Sequence, residues 1–168
     1  MTTLAHSVAG SALSRRTSRL ARQAGFNLFE LMITVAVLAT LAAIAVPSMQ
    51  RLIASQRLAT GASDLFFAIV MARSEAIKRN SNVSLTPVGG DWGAGWQSTD
   101  TATGAVLDNH GSLGGTTVAG PAAVVYQSSG RLQAVVTPFN FTSTVANVAP
   151  RCITLDLTGR PSVKQATC

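Results

Sequence analysis

The hydrophobic pattern divides the chain into a continuous apolar segment, an amphipathic segment and a region of short alternating runs. Residues 26–46 are predominantly apolar, and residues 31–46 carry no charge. An α-helix over these 21 residues would extend roughly 32 Å, which is enough to cross the hydrocarbon core of a bilayer. The segment therefore predicts a transmembrane helix, which we place at residues 26–47.

The basic residues beside this segment predict its orientation, because the cytoplasmic flanks of membrane helices are rich in Lys and Arg. Four arginines precede the apolar run: Arg15, Arg16, Arg19 and Arg22. We therefore expect a cytoplasmic N-terminus and a periplasmic or extracellular remainder. A cleaved secretory signal peptide and a plain membrane anchor are alternative interpretations of the same pattern.

In residues 48–80 the apolar positions recur at alternating spacings of four and three residues, which places them on one stripe of an α-helix with one buried face. The stripe consists of Leu58, Ala62, Leu65, Ile69, Ala72 and Ala76. Pro47 removes one backbone donor and should kink or loosen the helix. The pattern thus predicts one long, bent helix over residues 26–80, with residues 48–80 as its amphipathic part.

Residues 81–168 are rich in Gly, Thr, Ser, Val and Asn, and short β-like runs alternate with turns. The candidate strands are residues 82–87, 95–99, 124–127, 132–136, 139–142, 152–157 and 162–164. Residues 100–120, rich in Gly and Thr, predict a long mobile loop. The similar stretches "SSGRL" (128–132) and "LTGRP" (157–161) each predict a hairpin turn. The expected fold is α+β, with the amphipathic helix packed on a C-terminal antiparallel β-sheet.

Charge and cysteine content indicate the cellular compartment in which the folded part of the chain works. Without residues 1–25, the 13 basic groups fall by four to 9 against 7 acidic groups, so the net charge drops from +6 to +2. Cys152 and Cys168 close a 17-residue segment, which in an exported chain favours a disulfide worth about 3 kcal/mol in the chain-entropy model. Two unpaired thiols are the alternative. Without clustered histidines, we expect no metal site and no cofactor.

The sequence contains no nucleophile elbow, phosphate loop or carboxylate pair, and His110 is the only histidine after residue 25. We therefore expect no catalytic residues. Aromatic side chains can stack on nucleic-acid bases. We interpret Trp92, Trp96 and Tyr126 instead as core or loop anchors.

A carboxylate in the apolar segment needs a partner or a use, because an ionised one costs about 2.5–3.5 kcal/mol at the middle of a membrane helix and less near its end. Glu30 is such a residue. In a filament of packed helices, its natural partner is the positive N-terminal amine of a neighbouring subunit. A side chain that reaches the cytoplasmic headgroups is the alternative.

Arg151, Arg160 and Lys164 form a basic cluster in which Asp156 is the one opposing charge. Exposed Lys and Arg side chains on loops are the groups that contact phosphates. An ordinary solvated hairpin is the alternative. Arg131 joins the cluster only if the two predicted hairpins are neighbours.

The run "GFNLFE" ahead of the apolar helix resembles the type III signal of type IV pilins and pseudopilins. The resemblance implies that residues 1–25 are a leader, cleaved after Gly25 by a prepilin peptidase that also methylates the new N-terminus at Phe26. It places Glu30 at the fifth position of the mature chain, where the family's glutamate serves assembly with other pilins. It also matches Pro47 to the proline that loosens the helix in pilins. It also implies an inner-membrane, single-pass precursor with a periplasmic domain.

The stretches "ARSEAIKRN", "VYQSSGRLQ" and "RCITLDLTGRPSVKQATC" are similar to the GspH/FimT group of minor pseudopilins. The terminal cysteine pair around a Gly-Arg turn favours a FimT-like minor pilin of type IV pili. A GspH-like structural pseudopilin of a type II secretion system is the alternative. In FimT proteins tied to natural transformation, a Gly-Arg-X-Arg motif contacts double-stranded DNA. Gly159, Arg160 and Pro161 match its first three positions, whereas Ser162 stands where the second arginine belongs; Lys164 is nearby.

Overall fold

The computed structural model describes Gly25 and residues 27–168, in which helix α1 (Leu28–Arg79) is followed by eight strands. The predicted leader, apart from Gly25, and Phe26 lie outside the described residues. The strands are β1 (Val83–Val88), β2 (Asp91–Asp100), β3 (Val106–His110), β4 (Thr116–Ala119), β5 (Val124–Tyr126), β6 (Phe139–Ser143), β7 (Arg151–Leu155) and β8 (Pro161–Lys164). The α+β fold class is confirmed.

Helix α1 begins at an asparagine cap. The Oδ1 atom of Asn27 accepts a hydrogen bond from the backbone amide of Phe29 at 3.3 Å, and its carbonyl oxygen accepts one from Leu31 at 3.1 Å. Such a cap satisfies amides that have no partner within the helix. Glu30 lies in the first turn, where the helix dipole favours a negative charge.

Helix α1 ends in a Schellman motif. The Ser81 amide donates to the carbonyl of Ala76 at 3.2 Å, and the Asn80 amide donates to Ile77 at 3.3 Å. Asn80 takes the left-handed conformation that this motif requires, with φ of 50°. The chain therefore stops the helix here and turns directly into β1.

The helical stripe predicted from the sequence is confirmed, since all six of its residues are buried. Ala54, Gly61 and Ala68 extend it. The described chain forms two compact units that meet between Ala39 and Thr40, and all of these buried residues belong to the second unit. Helix α1 continues through Pro47.

Two four-stranded sheets are present among the described residues, where we expected one. Sheet A has the order β3-β2-β1-β5 and sheet B the order β4-β6-β7-β8, with antiparallel pairing throughout. Both sheets and the helical stripe contribute to one hydrophobic core. The largest fully buried side chains from the strands are Trp96, Tyr126, Phe139 and Phe141.

The prediction of a long loop over residues 100–120 is wrong, because this segment contains β3 and β4. Strand β3 pairs with β2 in a register that places His110 opposite Trp96 and Asp108 opposite Ser98. It is an edge strand whose residues are exposed or half-buried. Its last three residues are polar, and the hydrophobic alternation that would reveal a strand is missing.

The candidate strand at residues 132–136 is also wrong. Leu132 forms an isolated bridge with Tyr126, and the Gln133 amide donates to the carbonyl of Val125 at 2.9 Å, but the pairing ends there. Val135 is 76% exposed. An apolar run without a neighbouring strand to pair with does not form a ladder.

Candidate functional site

The N-terminal part of α1 presents its side chains to the surroundings. Every residue of Leu28–Ile53 is exposed, and the helix contains an 18-residue window with a mean hydropathy of 2.3. By length and composition it is able to cross a membrane. Glu30 lies at the start of this apolar surface, and Phe26, the expected mature N-terminus, is outside the described residues.

The two Gly-Arg stretches form turns of the same kind. In one, the Gln127 amide donates to the carbonyl of Arg131 at 2.9 Å and the Gly130 amide to that of Gln127 at 2.8 Å. In the other, Asp156 donates to Arg160 at 3.2 Å and Gly159 donates back to Asp156 at 2.9 Å.

Both glycines have positive φ, 75° at Gly130 and 80° at Gly159. This is the geometry of a three-residue hairpin loop with a glycine bulge. The repeated sequence pattern thus encodes a repeated turn, as predicted.

The two turns are neighbours, although one follows sheet A and the other lies within sheet B. A Cβ atom placed on Gly159 would lie 3.2 Å from the carbonyl oxygen of Gly130 and 2.5 Å from Cε1 of Tyr126. The Tyr126 hydroxyl donates to the Gly159 carbonyl at 2.8 Å. Burial raises the pKa of Tyr126, so this hydroxyl stays protonated and remains a donor. The condition that we set for Arg131 to join the cluster is therefore met.

A third arginine lies against these turns, and sequence reasoning missed it. A Cβ on Gly130 would lie 3.4 Å from Nε of Arg73, which is on α1. Arg73 is half-buried and follows Ala72 of the buried stripe. The sequence signal for Arg73 was its position directly after a residue of the apolar stripe. Arg73 on α1 thus lies beside the first of two neighbouring turns, which carry Arg131 and Arg160, and we call these three residues the arginine patch.

The structure separates the other two predicted cations from Arg160. Lys164 pairs with Cys152 at the end of the β7–β8 hairpin remote from the turn, roughly 13 Å along the strand from Arg160. Arg151 lies two positions before the buried Ile153 and so on the same face of β7, whereas Lys164 and Cys152 lie on the other. The three cations therefore do not form one cluster.

The acidic residue of the second turn is already engaged. Asp156 Oδ1 accepts hydrogen bonds from the Thr158 hydroxyl at 2.7 Å and the Arg160 amide at 2.9 Å. The Thr158 hydrogen bond and then that amide hold the pKa of Asp156 below its usual value. Asp156 therefore shapes the turn and remains ionised beside Arg160.

The aromatic residues are anchors in the core, as we interpreted them. Trp92, Trp96 and Tyr126 are all almost fully buried. Trp92 packs edge-on against Phe139 with ring centroids 4.8 Å apart, and its Nε1 donates to the carbonyl of Pro121 at 2.7 Å. They are not available to stack on bases.

The disulfide predicted from the cysteine content is present between Cys152 and Cys168. It ties the C-terminal residue to β7, with the two Cα atoms 5.2 Å apart. The alternative of two unpaired thiols is therefore wrong.

Solved structures with the same architecture identify the fold. The chain resembles the type IV minor pilin FimU of Pseudomonas aeruginosa in two crystal forms, with TM-scores of 0.58 and 0.55 and 21% sequence identity in each. The matches cover 65% and 62% of this chain and 89% and 90% of the FimU chains. No curated protein matches the chain. The fold is therefore that of a type IV pilin-like subunit.

The particular family follows from the sequence comparison. The family model for the type II transport protein GspH matches residues 61–159, more than half of the chain. The chain belongs to this family and is a pilin-like minor pseudopilin of the GspH/FimT type, which confirms the resemblance found in its sequence. Its relatives are pilin subunits rather than enzymes.

Proposed function

We propose that the chain is a minor pilin that is matured by a prepilin peptidase and assembled into a type IV pilus. The peptidase cuts after Gly25 and methylates the new N-terminus at Phe26. Before assembly, the subunit rests in the inner membrane with a cytoplasmic N-terminus and a periplasmic folded domain. Family membership and the apolar start of α1 support this proposal. The partners are then the peptidase and other major and minor pilins.

Assembly is proposed to depend on Glu30. The carboxylate is exposed in the first turn of an apolar helix, a position that lipid opposes and that a neighbour's methylated amine would favour. Leaving lipid for the filament then lowers the free energy of Glu30. Pro47, which lacks an amide donor, is the proposed point at which α1 loosens on assembly.

Mass spectrometry and pilus incorporation test this part of the proposal. The mature chain should begin with N-methylated Phe26, and Glu30→Val should insert into the membrane but enter pili poorly. Glu75→Val is the matched control, because it removes a carboxylate from the same helix. Unlike Glu30, Glu75 has ion-pair partners among the described residues of its own chain, Lys78 and Arg79. An unprocessed chain, or normal incorporation of Glu30→Val, would refute this mechanism.

The exposed domain is proposed to bind incoming double-stranded DNA in natural transformation. The observation that carries this proposal is the meeting of two Gly-Arg turns, because it brings Arg131 beside the predicted Gly159-Arg160 pair. Two exposed arginines on neighbouring turns can contact phosphates of one backbone. Lys164 and Arg151 stay in the proposal as outlying contacts.

Binding of duplex DNA to the chain from residue 54 onward, which contains all the buried core residues of the described chain, tests this interface. Each lost phosphate contact lowers the slope of log K against log salt by about one. Arg131→Ala and Arg160→Ala should each weaken binding in this way. Arg57→Ala, a cation located beside Gly115, is the control and should bind normally. Unchanged binding in both turn variants excludes this interface.

A second candidate function is a structural role in a type II secretion pseudopilus. The family match to a type II transport protein favours it. It requires no DNA contact and predicts that the arginine patch is dispensable. A gene deletion, scored separately for transformation, twitching and protein secretion, distinguishes the two functions. Loss of secretion alone would support the second.

A further inference from the structure

A ridge of exposed apolar side chains lies on the outer side of α1, opposite its buried stripe. Phe67 is 66% exposed and Met71, one turn later, is 54% exposed. Beside them lies a pocket of about 210 Å³, whose walls include Phe67, Met71 and Trp96. Exposed apolar side chains next to a pocket are typical of protein interaction sites. We call this feature the Phe67 pocket.

The polar groups of the Phe67 pocket are Asp64 from α1 and Asp108 and His110 from β3. The His110 ring stacks on Trp96 with centroids 4.2 Å apart. Its Nδ1 is 2.8 Å from the Gly111 carbonyl oxygen and must donate to it, so Nε2 of the neutral ring carries no proton. Nε2 lies 3.4 Å from Oδ2 of Asp64 and cannot donate to it in that state.

No Lys or Arg lines this pocket, so His110 is the one group in its lining that can carry a positive charge beside the two carboxylates. In the described part of the chain, no three His, Cys, Asp or Glu residues are placed to hold a metal ion. Ligand pockets usually measure about 300–1,000 Å³, so this one is suited to a single long side chain rather than a cofactor. Apolar walls and two carboxylates fit the stem and the charged head of an arginine.

We propose that the Phe67 pocket receives an arginine from the arginine patch of a second copy of this chain. Arg131 and Arg160 form no salt bridge within the described residues. Asp156 attracts Arg160 electrostatically, but its Oδ1 accepts hydrogen bonds within the turn. The pocket lies at β3 and the patch follows β5, the two opposite edges of sheet A. Complementary charges at opposite edges give a head-to-tail contact, in which each copy offers a free pocket and a free patch to the next.

This contact does not require that the chain binds DNA, although it uses the same arginines as the proposed DNA interface. A patch that is seated in a neighbour's pocket is therefore not available to phosphates. DNA and a second copy should compete, and both interactions should weaken as salt screens the charges.

The test uses the full chain in neutral detergent, with its size measured by sedimentation at low salt. Asp108→Lys removes the acceptor pocket, and the double variant Arg131→Glu/Arg160→Glu removes the donor patch. Each should self-associate at least tenfold more weakly than the unmodified chain. Mixed one to one, they should form dimers, because each variant keeps the half of the contact that the other lacks. Asp64→Lys should behave like Asp108→Lys.

DNA binding separates this inference from the proposed function. Asp108→Lys should bind duplex DNA normally, whereas the double arginine variant should lose binding. Self-association of Asp108→Lys at the unmodified level overturns the inference, and so does a chain that is monomeric in every mixture. Association that survives the double arginine variant but not Asp108→Lys also overturns it, because the occupant is then another group.

Discussion

At the scale of single residues, Gly159 determines how closely the two Gly-Arg turns approach. Its φ is positive, and its α-carbon faces the Tyr126 ring without room for a methyl group. The sequence predicted both turns from their Gly-Arg pattern. It did not reveal their contact, because Tyr126 and Gly159 are 33 positions apart and no local pattern connects them.

Gly159→Ala should therefore destabilise the fold by about 3 kcal/mol, because strain from positive φ adds to a clash with Tyr126. Gly104→Ala is the matched control: its φ is 72°, but no atom lies within 4 Å of the added Cβ. It should cost only about 1 kcal/mol. Urea denaturation measures both, and equal losses would show that the close contact has no energetic weight.

Asp100 should make stability depend on pH in the acid range. It is almost fully buried and accepts hydrogen bonds from the Ser81 hydroxyl at 2.7 Å and the Ala102 amide at 2.9 Å. The Ser81 bond, followed by the Ala102 bond, lowers the pKa of Asp100 below its ordinary value of 3.8. A lowered folded-state pKa gives stability that is present above the unfolded pKa and lost as the pH falls through the folded one.

Between pH 6 and pH 2.5, the wild-type chain should thus lose more stability than Asp100→Asn, which has no carboxylate to protonate. Denaturation at the two pH values measures the difference. Glu75 and Asp156 also have lowered pKa values. Both residues are present in the two proteins, so their contributions cancel when the stability losses are compared. Parallel losses in the two proteins would rule out a contribution from Asp100.

At the scale of elements, the helix was predictable and the sheets were only partly so. The buried face of an amphipathic helix repeats every three or four residues, so the six residues of the stripe were found from their spacing alone. Edge strands such as β3 face solvent and carry no such period. The sequence also did not predict that Arg151 and Lys164 lie on opposite faces of sheet B. Their faces depend on the register between β7 and β8, which is set by the tertiary pairing of the strands.

Two substitutions on opposite faces of α1, only two positions apart, should have very different effects on stability. Leu65 is fully buried, so Leu65→Ala leaves a cavity and should cost about 2–5 kcal/mol. Phe67 is two positions later on the exposed face, so Phe67→Ala should change stability by less than about 1 kcal/mol. Chemical denaturation compares them. A large loss for Phe67→Ala would mean that the exposed ridge stabilises the isolated subunit.

At the scale of the whole molecule, the disulfide links the end of the chain to the middle of sheet B. Cys152 is on β7, which pairs with β6 on one side and β8 on the other. The bond therefore closes the β8 hairpin and the C-terminal residues into one loop. Its presence was predictable from two cysteines in a chain that we expect to be exported, whereas its position on a central strand was not.

Replacing both cysteines with serine should lower the free energy of unfolding by about 3 kcal/mol and Tm by about 10 °C. Thermal melting with and without reductant measures the effect. Reductant should lower Tm in the wild-type chain to a similar extent and leave the double variant unchanged. A reductant-insensitive wild-type Tm would show that the bond adds no stability.

The position of β1 has a mechanical consequence for a subunit that is moved by its helix. Along the covalent chain, traction on α1 passes next into β1, since only three residues, 80–82, connect them. Strand β1 is held on both sides, by β2 and by β5, and Val83 and Leu85 are fully buried. A pull along the strand loads these hydrogen bonds together, so that they must break as a group. The first strand that follows the helix is therefore anchored in the interior of its sheet.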